Sequence, residues 1–315
     1  MKKFHSPKKN TLKHYKWPLF IFAASIFLLS GCNSNADSID SEDIEFPHMH
    51  GIGFTEDGEQ AYVPAHDGLR VLEDGEWKMA EGERHDYMGF SMVDDGFYSS
   101  GHPSASSDYG NPFGIIKSTD NGKSLEILDL YEEIDFHHMD VGYNTHTIFV
   151  FNPEPNSRME APGLYYSTDE TETWERSALQ GIQEEMTSLA AHPTKEKVLA
   201  IGTKSDVYLS EDFGDMFEPL GVDTRITAVL FGHDGSLFAA GTGESVQLLQ
   251  IDPETRNIDE WQLPELETDN SILYIAQNPA EENTVVFVTE QKDIYYTENS
   301  GETWNLLAEK GESTL

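Results

Sequence analysis

Ser118-Thr119-Asp120-Asn121-Gly122-Lys123-Ser124-Leu125 is the first of four related segments. The others are Ser167-Thr168-Asp169-Glu170-Thr171-Glu172-Thr173-Trp174, Ser210-Glu211-Asp212-Phe213-Gly214-Asp215-Met216-Phe217 and Thr297-Glu298-Asn299-Ser300-Gly301-Glu302-Thr303-Trp304. Their starts lie 49, 43 and 87 residues apart. The last interval is close to twice the one before it, so a degenerate unit belongs in the gap. Ile251-Asp252-Pro253 to Trp261 fills it, and Leu72-Glu73-Asp74-Gly75-Glu76-Trp77 is a further degenerate copy upstream. That makes six units. Apolar strand-like runs precede each box, and no stretch sustains a helical period. Repeats of this length, with several short strands and one turn signature each, predict an all-β fold: a β-propeller of about six four-stranded blades. Inside a box, Asp120, Asp169 or Asp212 can accept backbone N–H bonds within a tight turn, and the glycine can supply a positive φ. The closing aromatics, Trp174 and Trp304, are expected to pack between blades.

The box resembles the Asp-box (BNR) repeat of sialidases and sortilin-type propellers. The resemblance covers nearly all of the chain after its first 45 residues. It implies the fold and says almost nothing about activity, because unrelated functions share this repeat. A calcium loop would need more carboxylates and a distal glutamate, which the boxes lack.

The N-terminus reads as an export signal. Residues 1–16 hold six lysines and no acid. An apolar run follows, from Trp17 to Leu29, suited to a signal-peptide core and short for a membrane span. Leu29-Ser30-Gly31-Cys32 then resembles the lipobox of bacterial lipoproteins. That resemblance implies cleavage before Cys32, lipidation of its thiol and an anchor on the extracytoplasmic side of the cell membrane. Cys32 is the only cysteine, so no disulfide is available. The expected organisation is a signal peptide over 1–31, an acidic flexible tether over 32–45, the propeller over 46–310 and a short tail over 311–315.

Removing residues 1–31 takes six basic residues and no acids, so the formal charge moves from −37 to −43. Nucleic acid and anionic lipid headgroups would be repelled, whereas cations would be attracted. The expected partners are the membrane, through the lipid, and an extracytoplasmic protein or glycan.

Histidine is unevenly placed. Ten follow Cys32, and eight of these precede residue 150. Aligned on the glycine-aromatic end of each first strand, the early units read His48-Met49-His50-Gly51-Ile52-Gly53-Phe54, His85-Asp86-Tyr87-Met88-Gly89-Phe90 and His137-His138-Met139-Asp140-Val141-Gly142-Tyr143. The later units begin Met186, Ile226 and Ser271, without histidine there. First strands line a propeller's channel, so their starts gather at one mouth. His66 and His102 end the second strands, which run antiparallel to the first, and belong on the same face. The Asp boxes belong on the opposite face.

We therefore expect His48, His50, His85 and His137 to form an inner set of transition-metal ligands, with His66 and His102 close behind. His138 is an alternative to His137. Imidazole suits zinc or copper. Asp67, Asp86, Asp135 and Asp140 are carboxylates able to ligate or orient the rings. Met49, Met88 and Met139 would suit copper, or belong to the core. Two insertions on this face, Pro103 to Pro112 and Asn152 to Pro162, are candidate walls of a pocket.

Together, His48, His50, His66, Arg70, His85, His102, His137 and Met139 in their local contexts resemble a group of bacterial lipoproteins labelled glycosyl hydrolases with sortilin-like or BNR repeats. The label implies activity on a glycan, for which Asp67, Asp86 and Asp140 would be the carboxylates on the histidine face. A sialidase would need an arginine cluster for the substrate carboxylate, and the chain has six arginines with no such segment opening its first unit. A Gly-x-Ser-x-Gly nucleophile motif is lacking too. Three readings stay open: a metal-binding propeller, with or without metal-dependent catalysis; a glycan hydrolase; and a protein-binding propeller.

Overall fold

The computed structural model describes residues 44–315. The signal peptide, Cys32 and most of the predicted tether lie outside the described residues. The described chain folds into six antiparallel sheets, arranged as the blades of a β-propeller. The first strands are Gly53–Phe54, Asp86–Val93, Met139–Val141, Met186–Ala191, Arg225–Phe231 and Ile272–Gln277. Residues from all six line a central channel. Buried apolar side chains from neighbouring blades fill the space between sheets, as with Phe97 and Ile116 beside Tyr62 and Val71.

Polar side chains join the first strands around the channel. Asp140 of blade three accepts from Ser91 Oγ of blade two (2.7 Å) and from the Ala191 amide of blade four (2.7 Å). The Val229 amide donates to Ser188 Oγ (3.0 Å), and Thr227 Oγ1 donates to the Ile272 carbonyl (2.7 Å). Each bond links one blade to another, which satisfies polar groups that would be costly to leave bare.

The four boxes share one hydrogen-bond pattern. Ser118 Oγ accepts from the Gly122 amide (2.8 Å), and Asp120 Oδ1 accepts from the Ser124 amide (2.9 Å). Asp169 and Asp212 accept equivalently from Thr173 and Met216 (both 2.9 Å), as Asn299 does from Thr303 (3.0 Å). The fifth position has φ between +75° and +91° in all four boxes, with glycine at three and Thr171 at the other. Asp74 and Gly75 instead make a two-residue turn with both φ positive, the geometry favoured in hairpins.

The ring closes with residues that the sequence reading placed in a tether and a tail. Ile44 and Glu45 pair with Glu312 and Ser313: the Ser313 amide donates to the Ile44 carbonyl (3.1 Å), and Glu45 bridges Glu312. Glu312–Ser313 is a fifth strand on blade six. Residues 44–45 and 311–313, outside the expected 46–310, thus take part in the ring, because segments with no motif of their own pair through their backbones. Trp77 Nε1 donates to the Leu307 carbonyl (3.1 Å), a second tie from blade one to blade six.

Three blades carry the same proline-containing turn, between the first and second strands in blades four and six and between the third and fourth in blade five. In blade six, Asn278 Oδ1 accepts from the amides of Ala280 (2.9 Å) and Glu281 (3.2 Å). In blade five, Asp252 Oδ1 accepts from Glu254 (2.9 Å) and Thr255 (3.0 Å). In blade four the acceptor is His192 Nδ1, from Thr194 (3.1 Å) and Lys195 (3.2 Å). Burial, helped by Lys195, pushes the His192 pKa from 6.5 down to about 4. The folded state therefore refuses a proton that the unfolded chain accepts, and stability is lost as pH falls from about 6.5 towards 4. His192→Asn should keep the turn and make that loss shallower, by up to about 1.4 kcal/mol per pH unit. Chemical denaturation at pH 7, 6, 5 and 4.5 reads the effect. Equal slopes in parent and variant would contradict it.

Candidate metal centre on the channel mouth

The starts of the first strands and the ends of the second strands in blades one to three meet at one mouth, as the antiparallel pairing Asp86↔His102 requires. The boxes lie at the other end: Ser118 pairs with Phe97, next to the hairpin turn that follows Val93.

His48, His50 and His66 form a compact trio. One ring nitrogen from each lies within 4.8 Å of the others. The ring centroids are 4.7–5.0 Å apart. His48 and His50 sit two residues apart in an extended segment, so both project to one side. The backbone brings His66 to them through the bridge Met49↔Ala65 and the His66 amide bond to the His48 carbonyl (3.3 Å).

Asp86 of blade two adjoins the group at His50 and His66. Its Oδ2 lies 2.8 Å from His66 Nδ1, which fixes that ring and leaves the other nitrogen as a lone-pair donor. Its Oδ1 lies 3.5 Å from His50 Nε2. Neither of those two atoms is exposed, and neither has a hydrogen-bond partner. The His50 side chain is 10% exposed, and burial pushes its pKa down to about 4 against the pull of Asp86. A buried neutral imidazole facing an unpartnered carboxylate oxygen is a donor set waiting for a cation. Three imidazoles and a carboxylate fit zinc or copper(II).

The six histidines expected to gather do not form one group. His85 lies apart from the trio. It is 1% exposed, packed edge-on against Tyr87, Tyr109 and Phe113. Its Nδ1 accepts from the Ser104 amide (3.1 Å), so it anchors the base of the 103–112 loop. Burial holds its pKa below the ordinary value. The physical reason is strand alternation: Asp86, one residue later, faces His66, so His85 faces away. Of the carboxylates expected to ligate or orient the rings, Asp86 is the one that stands at the trio. His102 and His137 converge instead on Asp135, with Nε2 atoms 3.5 and 2.8 Å from Asp135 Oδ2. His138 lies on the channel wall, where the surrounding protein and His137 push its pKa down.

Met88 and Met139 are buried and line the channel, and Met49 packs in the core between blades one and six. Neither insertion lines the channel cavity, which has a volume of about 420 Å³. The loop after Asn152 is held by Glu133, through Ser157, and by Arg158 bonds to the carbonyls of Thr171 and Glu172. The carboxylates considered for glycan chemistry are engaged. Asp67 pairs with the buried Arg70 (2.6 Å), Asp86 holds His66, and Asp140 ties three blades together. Burial pushes the Asp140 pKa up to about 6.

Of the box residues, Trp174 is half-buried and donates through Nε1 to Asp129 Oδ2 (3.0 Å). Trp304 is also half-buried, against Phe287 and Trp261. A second imidazole–carboxylate group, Asp94, Asp95 and His146, lies at the box end. There Lys117 Nζ already sits 3.0 Å from Asp95 and 2.9 Å from Glu170, supplying the positive charge.

No family model and no curated protein matches this chain. Among solved structures it is similar to the GH74 enzyme of Niastella koreensis, at 16% identity and a TM-score of 0.58, over 84% of this chain and 46% of that one. It is similar to the GH74 xyloglucanase of Xanthomonas campestris at 15% identity and a TM-score of 0.54, over 85% and 46%. YCF48 bound to D1 peptide matches at 16% identity and a TM-score of 0.48, over 84% of each chain. The chain spans about half the length of the GH74 structures it matches. At these identities the likeness establishes the propeller fold alone.

Proposed function

We propose that this chain is a lipid-anchored extracytoplasmic propeller of the Asp-box type, whose channel mouth holds a transition-metal ion on His48, His50, His66 and Asp86. The observation that carries the metal reading is the buried, unpartnered pair His50 Nε2 and Asp86 Oδ1, beside two further imidazoles. Zinc and copper are the metals the donors suit. The acidic surface favours a cation over an anionic ligand. All four donors together would close a tetrahedral zinc, whereas three imidazoles with Asp86 kept on His66 would leave one position for water or substrate, so both metal handling and catalysis are compatible with the site.

Elemental analysis of protein purified without an affinity tag tests the metal reading. The expected result is zinc or copper near one equivalent or above. Protein lacking both, which also fails to bind either on addition, would overturn it. The anchor is tested separately: Cys32→Ser should release the protein from the membrane fraction or leave the precursor uncut. Normal processing with membrane retention would remove that part of the proposal and leave the metal site untouched.

A further inference from the structure

Asp135 stands between two imidazoles on the rim beside the trio. His102 Nδ1 lies 2.7 Å from Asn111 Oδ1. A carboxamide oxygen only accepts, so the proton of a neutral His102 ring sits on Nδ1. Its Nε2 is then bare and faces Asp135 Oδ2 at 3.5 Å. His137 Nε2 approaches the same oxygen at 2.8 Å. One carboxylate oxygen thus has an imidazole lone pair opposed to it, an arrangement that a shared cation would relieve. Among the described residues, the two histidines are the only ion-pair partners of Asp135, so no lysine or arginine supplies that charge. His102 is held by Asn111, whereas His137 is 63% exposed. The donor atoms of the two histidines do not lie within 4.8 Å of each other, so binding needs the His137 ring to turn onto the ion.

We infer that His102, His137 and Asp135 form a second divalent-cation position, adjoining the first and selective for a borderline first-row metal such as zinc. Two imidazoles and one carboxylate are a recurrent donor set for such ions. The two positions meet in blade two: Asp86 of the first and His102 of the second are cross-strand partners. The asparagine bond orients His102 as an outer-shell acceptor orients a metal-bound histidine. Fewer protein donors and greater exposure make this the weaker position. The inference extends the reading of this face as metal-binding, yet it uses none of the trio's donors.

The test is calorimetric titration of the metal-free full chain with zinc chloride at neutral pH. Two equivalents are expected, the second weaker. His102→Ala/His137→Ala should lose the weaker equivalent and keep the tighter one. Asp135→Asn, which keeps size and shape, should weaken the same equivalent about tenfold or more. His50→Ala/His66→Ala should lose the tighter equivalent and keep the weaker. A single equivalent, insensitive to changes at His102 and His137 but lost with His50 and His66, would overturn this inference and leave the trio standing. A single equivalent lost only with His102 and His137 would support it and remove the trio. No binding at all would overturn both.

Discussion

His50→Ala is expected to weaken zinc binding at the trio by about a hundredfold or more, with little change in thermal stability. The outer-shell partners of a metal histidine are worth 10–100-fold in affinity, so a lost ligand should cost at least the upper end of that range. Stability should hold because the ring sits at a channel mouth where its Nε2 makes no hydrogen bond. His85→Ala should behave in the opposite way. It removes a buried ring packed on three aromatics and the acceptor of the Ser104 amide, so a loss of about 2–4 kcal/mol is expected, with zinc affinity at the trio retained. Calorimetry and thermal melts of both variants settle the matter together. If His85→Ala lost the metal at unchanged stability, the trio would be the wrong donor set.

Trp77→Ala carries the largest expected cost to the fold, about 3–5 kcal/mol. The indole is 1% exposed, and its ring meets Phe46 edge-on at 4.8 Å. Its Nε1 bond to the Leu307 carbonyl spans the junction of blades one and six. Removing it opens a cavity and breaks that bond at the point where the ring closes, leaving the Leu307 carbonyl with the Thr314 amide as its donor (3.1 Å). For a domain of this size the melting temperature should fall on the order of 10 °C. Trp304→Ala should cost less, because that ring is only half-buried. A Trp77→Ala variant that melted with the parent would deny the closure any role in stability.

Much of this was legible before any coordinates. The Ser/Thr-x-Asp turns are local: their donors and acceptors lie within seven residues, so residue types at fixed offsets disclose them. Their spacing then set the blade count. His48 and His50 were legible for the same reason, since residues two apart in an extended segment share a face. What failed was phase between blades. Aligning strands on their glycine-aromatic ends placed His85 at the right height, but one step out of register points a side chain the other way. The cue lay in Asp86, which alternates with Met88 on the face opposite His85 and Tyr87, before a register shift between Met88 and Ser91 breaks the pattern. Ring closure was not legible, because Ile44–Phe46 and Glu312–Ser313 recognise each other through backbone bonds that need no particular side chain. The box at Thr171 shows a further limit: glycine fills that left-handed position in the other three boxes, and only the geometry shows threonine adopting it.

The central claim, that this mouth coordinates a metal through histidine, is tested most directly by zinc-edge X-ray absorption on the protein loaded with one equivalent of zinc. The account predicts a shell at about 2.0 Å containing three imidazole nitrogens with their outer-ring scattering, plus carboxylate or water oxygen. A shell of oxygen alone, or one unchanged in His50→Ala, would contradict it.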